Sequence, residues 1–319
     1  MLRSVIKGCG SYLPKKTLDN NQISELVDTN DEWIRERTGI TVRHIAADDE
    51  LTSDMAAKAA EAALKSAGMD AADIDLIIVA TTTPDNTFPS TATKVQAMLG
   101  IKDGAAFDIQ AVCTGFVYAL SMADNFLKNG QFKTALVIGA DILSRLLDWE
   151  DRGTCILFGD GAGAVIIQAE ENTDRGILSS HLHSDGSTRD LLYVDGGVAS
   201  TGEAGKIRME GREVFKHAVQ KLAECTEEAL IANNMTKSDI DWMVPHQANV
   251  RILETTIKKL DIPKEKLIST VGIHANTSAA SIPLALDVAT KDKNIKEGDV
   301  VALQSIGGGL TWGSCLIRW

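Results

Sequence analysis

The residue best suited to covalent chemistry in this chain is Cys113. It lies within 107–116, where an apolar strand ends and a helix begins that runs toward a stop at 128–130. Free backbone N–H groups and the positive dipole end at a helix N-terminus favour the thiolate, the nucleophilic form of cysteine. We therefore expect Cys113 to be a nucleophile with a lowered pKa. Three other cysteines are interpreted as small buried hydrophobes: Cys155, Cys225 and Cys315.

His246 and Asn276 are the candidate partners of Cys113. His246 follows a short apolar strand at 242–245, and Asn276 lies in the loop of the second half that corresponds, within a few positions, to the loop carrying Cys113. A lone histidine is more often structural, and an asparagine usually supports a turn. Their shared placement at strand ends is what indicates a Cys–His–Asn set.

An internal repeat predicts the elements that position these residues. Similar helix-then-strand segments recur at an offset of 166, as in 73–79 and 239–244. Apolar spacing of three and four predicts helices at 53–67 and 213–232, and short apolar runs predict buried strands at 75–80, 135–140 and 299–304. We expect an α/β protein with mainly parallel, helix-covered sheets, in two related halves, 1–170 and 171–319.

Composition narrows the class of protein. The chain has 319 residues, with 44% hydrophobic and 24% charged residues, which is typical of a globular protein. Its 44 acidic and 32 basic residues give a net charge of −12, which disfavours nucleic-acid partners. No apolar run approaches the ~20 residues that a membrane-spanning helix needs. The N-terminus lacks the features of a signal peptide, so we expect a cytoplasmic protein without a membrane partner.

Two glycine-rich segments and a histidine pair have other candidate roles. Gly307-Gly308-Gly309 could present N–H groups to an oxyanion or form a tight hairpin, and the residues alone favour neither. The glycines at 159–163 precede an apolar strand, which predicts a turn between strands rather than a dinucleotide site. His181 and His183 lack further ligands at metal-binding spacing and are interpreted as part of a strand, so no metal is expected.

Four ordered motifs make the resemblance to a known family specific. Together they resemble β-ketoacyl-acyl carrier protein synthase III, the family of condensing enzymes that starts type II fatty-acid synthesis, and the resemblance runs essentially from end to end. It implies the duplicated thiolase-like fold, with layers in the order α-β-α-β-α, and an acyltransferase activity. The motifs are Ala111-Val112-Cys113-Thr114-Gly115-Phe116, Val244-Pro245-His246-Gln247-Ala248-Asn249, His274-Ala275-Asn276-Thr277-Ser278-Ala279-Ala280-Ser281 and Gly307-Gly308-Gly309-Leu310-Thr311-Trp312-Gly313.

The resemblance also implies a reaction in two halves. Cys113 takes the acyl group from a short acyl-CoA, with acetyl-CoA as the expected primer, while the N–H groups of Cys113 and Gly308 hold the oxyanion. His246 and Asn276 then donate hydrogen bonds to the thioester carbonyl of malonyl-acyl carrier protein, which stabilises the enolate left as CO₂ departs. The products are a 3-ketoacyl-acyl carrier protein, CoA and CO₂. No cofactor is implied, since the CoA thioester is a substrate.

Substrate-binding residues are implied by the same family. Trp33 and Arg152 would stack on the adenine of CoA, with Arg37 nearby. Phe88 would cross the interface of a homodimer to line the partner's acyl pocket. From the residues alone, Trp33 and Arg37 are better interpreted as an ordinary amphipathic surface, and the basic positions fit a plain solvated face equally well. The basic positions implied to bind the acidic carrier protein are Lys216, Arg251, Lys258 and Lys259.

One departure and several alternatives qualify the assignment. Ile306 stands where family members usually place an aromatic residue, which affects primer preference and rate. A thiolase usually has a second catalytic cysteine near its C-terminus, and elongating synthases use two histidines, whereas this chain has Cys315 in a terminal strand and Asn276. A catalytically dead scaffold would have a broken triad. A specialised relative that uses another primer in secondary metabolism stays the main alternative.

Overall fold

The computed structural model describes residues 2–319, and thirteen of its helices and strands lie in the part up to residue 171. Short 3-10 turns separate several of them, including one at Val112–Thr114. The elements are β1 (Leu2–Tyr12), β2 (Lys16–Asp19), α1 (Asn20–Ser24), α2 (Asp31–Thr38), β3 (Val42–Ile45), α3 (Thr52–Ala67), β4 (Leu76–Ala80), α4 (Thr91–Met98), β5 (Ala105–Ile109), α5 (Gly115–Lys128), β6 (Thr134–Ile142), α6 (Arg152–Cys155) and β7 (Asp160–Glu171).

The second part of the chain has the remaining ten elements. Their bounds are β8 (Gly176–Ser184), β9 (Leu192–Val194), β10 (Ile207–Met209), α7 (Gly211–Ala232), β11 (Trp242–Pro245), α8 (Val250–Lys259), α9 (Val271–His274), α10 (Ser281–Lys291), β12 (Val300–Gly307) and β13 (Thr311–Arg318). The helices expected at 53–67 and 213–232 and the three expected buried strands are all confirmed.

Two large mixed sheets form the frame of the molecule. The first has five strands in the order β1-β7-β6-β4-β5, and the second has four in the order β11-β12-β13-β8. Only the pairs β4–β5, β4–β6 and β11–β12 are parallel, so the expectation of mainly parallel sheets is wrong. The reason is that β7 and β13 each return antiparallel beside the strand that precedes them in the sequence.

Five layers stack through the molecule. Alternate side chains of β4 and β12 point to opposite faces: Ile78 and Leu303 face inward, onto α5 and α10, which lie between the two sheets. Ile77 faces outward, onto α3 and α4. Ala302 faces outward on the other side, onto α7 and α8. This arrangement confirms the expected α-β-α-β-α architecture.

The two sheets follow the internal repeat. Helices α5 and α10 begin 166 residues apart, at Gly115 and Ser281, and β4 and β11 occupy equivalent positions. The match stops at β5, because the repeat places the short helix α9 where a fifth strand would stand in the second sheet.

The strands of the first sheet end at Glu171 and those of the second begin at Gly176, which supports the division into halves 1–170 and 171–319. That division stays a prediction.

The glycine segments and the histidine pair have clear structural places. Gly307 pairs with Thr311 where β12 turns into β13, so the 307–309 segment is a hairpin. Gly161 and Gly163 lie inside β7 rather than in a turn, so that prediction is wrong. The reason is the close approach of α10, since a Cβ at Gly163 would lie 2.7 Å from the backbone N of Leu284. His181 and His183 lie in β8, as expected.

A close approach between β1 and α3 limits side-chain size in the first sheet. A Cβ built at Gly10 would lie 2.1 Å from the backbone N of Ala63 and 2.4 Å from the carbonyl O of Ala59. Both atoms belong to a rigid helix backbone, which cannot move aside as a flexible side chain can. Glycine is therefore required at this position by packing.

We predict that Gly10→Ala destabilises the protein by roughly 1–3 kcal/mol, because overpacking forces the helix away from the strand. Thermal unfolding followed by circular dichroism should show a Tm lowered by several degrees. Gly186→Ala is the matched control, because a Cβ there meets no atom within 4 Å. Equal Tm values for the two variants would contradict the packing argument.

Candidate active site

Cys113 lies at the junction between β5 and α5. The strand ends at Ile109, a 3-10 turn spans Val112–Thr114, and α5 begins at Gly115. The thiol side chain is buried, with 4% of the residue exposed. Val112 has a φ of +50°, which is rare for a β-branched residue and marks a tightly constrained turn. The predicted strand–turn–helix setting of Cys113 is confirmed.

The protonation state of Cys113 differs from the expectation. Burial raises the pKa of the thiol to about 12, although the Ser278 hydroxyl beside it lowers the pKa, and the buried carboxylate of Asp141 raises it further. The thiol is therefore neutral at pH 7. The expected lowering of the pKa by the helix N-terminus is wrong, because the loss of water around a buried thiolate outweighs the favourable dipole.

His246 follows β11 and is held on both its backbone and its ring. Its N–H donates to the carbonyl of Gln304 on β12 at 2.8 Å, and its Nδ1 lies 2.6 Å from the Oγ of Ser281. Burial lowers the pKa of the imidazole to about 3, so the ring is uncharged at physiological pH. An uncharged imidazole in this site can donate or accept a single hydrogen bond through Nε2.

Asn276 lies in the loop between α9 and α10. Its backbone N–H donates to the carbonyl of Leu157 at 3.0 Å. Its Oδ1 accepts a hydrogen bond from the N–H of Ser278 at 3.0 Å, which leaves the Nδ2 amide as the free donor of the side chain. Asp141 on β6 supports the same loop, since its Oδ2 accepts from the N–H of Ala279 at 3.3 Å.

Cys113, His246 and Asn276 line one cavity of about 530 Å³. The structure therefore brings the three predicted residues together, from β5–α5, β11 and the α9–α10 loop. Ile306 also lines the cavity and packs in the apolar cluster that contains Leu310. The arrangement combines a buried nucleophile with two uncharged nitrogen-bearing side chains in a site sheltered from water.

The predicted CoA-binding residues form one cluster beside the cavity. The guanidinium carbons of Arg37 and Arg152 lie 4.7 Å and 4.8 Å from the centroid of the Trp33 ring. Arg37 also lines the cavity. Arg152 donates to the carbonyl of Asp28 at 2.8 Å, which ties α6 to the segment before α2. The three residues are together, but Arg152 already covers the tryptophan ring.

The predicted basic face is divided by the structure. Lys216 and Arg251 are exposed and line the cavity, and Lys216 forms an ion pair with Glu213 at 2.6 Å. Lys258 and Lys259 are exposed at the end of α8 and do not line the cavity. Because the charged lining residues are exposed and the three catalytic candidates are buried, the opening of the cavity is basic.

Phe88 lies apart from this cavity within the chain. Its side chain belongs to the loop before α4 and is 83% exposed, the largest exposure of any large hydrophobic residue in the described chain. Such an exposed ring fits an intermolecular role, although the single chain contains no contact that tests it.

Several residues of the site were missed by sequence reasoning. Arg212 lines the cavity four residues before Lys216, so its position on the same helical face was the signal that could have found it. Ser281 begins α10, the repeat equivalent of α5, and that equivalence pointed to the active-site end of the helix. Ser278 lies in the quoted motif around Asn276, but the sequence does not show that it is close to Cys113. Asp141 had no signal, because its closeness to Cys113 depends on the packing of separate segments.

Comparisons with known proteins decide the family. The family model described as 3-oxoacyl-[acyl-carrier-protein (ACP)] synthase III matches residues 107–186, and its C-terminal counterpart matches residues 230–319. The chain belongs to this family. It is 62% identical over 321 residues to the β-ketoacyl-[acyl-carrier-protein] synthase III of Rhodospirillum centenum, with 100% of this chain and 99% of the relative covered. The synthase III of Paramagnetospirillum magneticum is 62% identical over 322 residues, with the same coverage.

Solved structures agree with this assignment. The crystal structure of the synthase III from Aquifex aeolicus matches with a TM-score of 0.95 and 47% identity, covering 99% of this chain and 100% of that one. The thiolase-like fold is therefore confirmed, and family membership makes the chain an acyltransferase of the condensing type that acts in fatty-acid synthesis. Within residues 2–319, no helix is long and apolar enough to span a membrane. The same residues contain no cluster of three or more potential metal ligands.

We predict that alkylation of Cys113 by iodoacetamide accelerates about tenfold per pH unit between pH 7 and pH 9, because the reactive thiolate is the minor form below its pKa. Peptide mapping by mass spectrometry at each pH measures the rate at this residue. Cys113→Ala is the control that identifies the labelled peptide. A rate that levels off below pH 8 would show that the thiol has a lowered pKa after all.

Proposed function

We propose that the chain condenses a short acyl-CoA, with acetyl-CoA as the expected primer, with malonyl-acyl carrier protein to start fatty-acid synthesis. The observation that carries this proposal is the single cavity in which the thiol of Cys113 meets the side chains of His246 and Asn276. The reaction needs one nucleophile and two uncharged donors. All three residues are buried, and hydrogen bonds with β12, the start of α10 and the α9–α10 loop hold them in place.

The first half-reaction transfers the acyl group to Cys113. The sulfur attacks the thioester carbonyl, the proton of the thiol passes to the departing CoA sulfur, and an acyl-cysteine thioester remains. The N–H groups of Cys113 and Gly308 are proposed to hold the oxyanion. Support comes from the hairpin geometry, since Gly308 lies beyond the last β12–β13 pair and Gly307 packs against the backbone N of Cys113.

The second half-reaction forms the new carbon–carbon bond. His246 and Asn276 donate hydrogen bonds to the malonyl thioester carbonyl, so that the C–C bond to the carboxylate breaks, CO₂ leaves, and its electron pair forms an enolate. The enolate carbon attacks the acyl carbonyl carbon on Cys113, and the bond from that carbon to the sulfur breaks. The Cys113 sulfur leaves as a thiolate and takes up one proton from solvent, which restores the thiol and releases the 3-ketoacyl-acyl carrier protein. The pKa of about 3 at His246 supports a donor that is uncharged throughout.

Two surfaces are proposed to bind the substrates. The Trp33 ring, with Arg152 and Arg37, is proposed to hold the adenine of CoA; because Arg152 covers the ring at 4.8 Å, the guanidinium has to swing away for adenine to insert. The acidic carrier protein is proposed to dock on the basic rim of the cavity, and we include Arg212 in this surface because it also lines the cavity. The residues proposed from the sequence for that docking are Lys216, Arg251, Lys258 and Lys259.

The remaining assignments are proposals of the same kind. We propose a homodimer in which Phe88 lines the partner's acyl pocket, on the basis of its 83% exposure. Thioester substrates supply the driving force for condensation, so we propose a reaction without a cofactor or metal. Action in the cytoplasm, without a nucleic-acid or membrane partner, also stays a prediction.

We predict that Cys113→Ala loses acyl-enzyme formation while the fold is retained. Intact-protein mass spectrometry after incubation with a panel of acyl-CoA primers, followed by malonyl-acyl carrier protein, measures loading and discharge. Cys9→Ala is the matched control, because Cys9 is equally buried in β1, away from the cavity. Undiminished loading of Cys113→Ala would overturn the nucleophile assignment. Loading of the unmodified chain without discharge by malonyl-acyl carrier protein would favour a specialised synthase with another second substrate.

We predict that Asn276→Ala lowers malonyl-acyl carrier protein decarboxylation by about 10²–10³-fold, the effect of losing one oxyanion donor. Self-acylation from acyl-CoA should change far less, because that step uses the backbone donors. Asn233→Ala is the control, since it removes a side-chain amide that donates to Ser179 Oγ at the end of α7, outside the cavity. Loss of self-acylation with decarboxylation preserved would contradict the role of Asn276.

A further inference from the structure

In both side-chain donors of the cavity, Asn276 and His246, a neighbouring residue hydrogen-bonds to one polar atom and leaves the other facing the cavity. Asn276 has its Oδ1 occupied by the N–H of Ser278, which leaves its amide hydrogens for the cavity. His246 has its Nδ1 occupied by the Oγ of Ser281 at 2.6 Å, which leaves Nε2 for the cavity. An imidazole nitrogen donates only when it carries the proton, so the role of His246 depends on its tautomer.

Ser281 is the first residue of α10, and its side chain is buried. Among the residues that the structure describes, its Oγ has two partners: His246 Nδ1, and the N–H of Gln247 at 3.2 Å. The backbone N–H of Gln247 can only donate, so Oγ accepts that bond. Because a serine hydroxyl has one proton and two lone pairs, Oγ keeps its proton and one lone pair for the imidazole.

The direction of the N–H of Gln247 is set by the rest of that residue. Its side-chain amide donates to the carbonyls of Pro245 at 2.8 Å and Ile268 at 3.2 Å. Its Oε1 accepts from the N–H of Thr270 at 2.8 Å. Gln247 is fully buried and held on both sides, so it presents a fixed donor to Ser281.

The number of available protons determines the direction of the hydrogen bond between Ser281 Oγ and His246 Nδ1. If Nδ1–H donated to Ser281, the hydroxyl proton would have no acceptor in a buried place, which costs free energy. If Ser281 donates to Nδ1, the hydroxyl proton, Nδ1 and the N–H of Gln247 all have partners. The imidazole, which burial keeps uncharged, then carries its single proton on Nε2, facing the cavity.

We propose that Ser281 is a positioning residue, which donates its hydroxyl proton to His246 Nδ1 and so holds the imidazole in the tautomer protonated at Nε2. The inference deepens the donor role proposed above for His246 and rests on it. A carboxylate or carbonyl at Nδ1 can only accept, and would select the opposite tautomer, with Nε2 as a base. A hydroxyl oriented by a backbone N–H is an uncharged group that can donate there.

The tautomer is measured directly by NMR of the unmodified protein with ¹⁵N-labelled histidine. The chain has six histidines, and the signals of residue 246 are identified by their loss in His246→Ala. We expect an Nε2 that carries a proton and an Nδ1 that does not, unchanged between pH 6 and pH 8. A proton on Nδ1 overturns the inference. This readout needs no turnover, and it decides the question even where a variant at Ser281 does not fold.

Two variants test the consequence for the reaction. We expect Ser281→Ala to give mixed tautomer signals and to lower malonyl-acyl carrier protein decarboxylation about tenfold, less than the 10²–10³-fold expected for losing a donor outright. Ser281→Thr keeps the hydroxyl and should restore both the Nε2-protonated signal and most of the rate. The matched control is Ser314→Ala, because Ser314 is also buried but donates to the carbonyl of Cys225 at 2.7 Å, outside the cavity.

The outcomes separate this inference from the proposed function. An unchanged tautomer and decarboxylation rate in folded Ser281→Ala, or an equal loss in Ser314→Ala, overturns the positioning role alone. Decarboxylation that survives in His246→Ala instead overturns the donor role of His246, whatever the tautomer. A shifted tautomer with a lowered rate, rescued by Ser281→Thr, supports both.

Discussion

Strand β12 sets the distance between the nucleophile and its partner histidine. Gln304 accepts the backbone N–H of His246 at 2.8 Å, and the next residue, Ser305, donates its hydroxyl to the carbonyl of Cys113, also at 2.8 Å. Two residues further on, a Cβ at Gly307 would lie 2.7 Å from the backbone N of Cys113. One strand of the second sheet therefore holds groups from both sheets in register, and any slip of β12 would separate them.

Burial of Cys113 and His246 beside β12 explains the shifted pKa values of both side chains. Removing water raises the pKa of the Cys113 thiol to about 12 and lowers that of the His246 imidazole to about 3, because each group's charged form loses its hydration. The two side chains are uncharged for the same reason, and no ion pair between them is maintained at rest. The thiol proton then has to leave during acyl transfer, when the departing CoA sulfur can receive it.

The features of the active site that depend on the order of elements along the chain could be predicted from the sequence. The offset of 166 placed Cys113, His246 and Asn276 at equivalent ends of repeated elements, and the structure brings them into one cavity. Features that depend on packing between distant segments could not be predicted from the sequence. The pKa of the Cys113 thiol, for example, is determined by burial rather than by the helix N-terminus. The glycines in β7 are required by the close approach of α10. A run of apolar residues predicts a buried strand but does not show that β7 runs antiparallel to β6.

Ser281 shows why such a residue escapes a sequence analysis and still matters. A serine near a helix start most often caps the helix from the N-cap position, but in α10 that position is Ala280 and Ser281 is the first helical residue. Its hydroxyl accepts from the N–H of Gln247 and donates a hydrogen bond to His246 Nδ1. An enolate is stabilised by hydrogen-bond donors, and an isolated charge is costly to bury where the side chains are as buried as these. A hydroxyl behind the imidazole and a backbone N–H behind the amide of Asn276 provide two such donors without burying a charge.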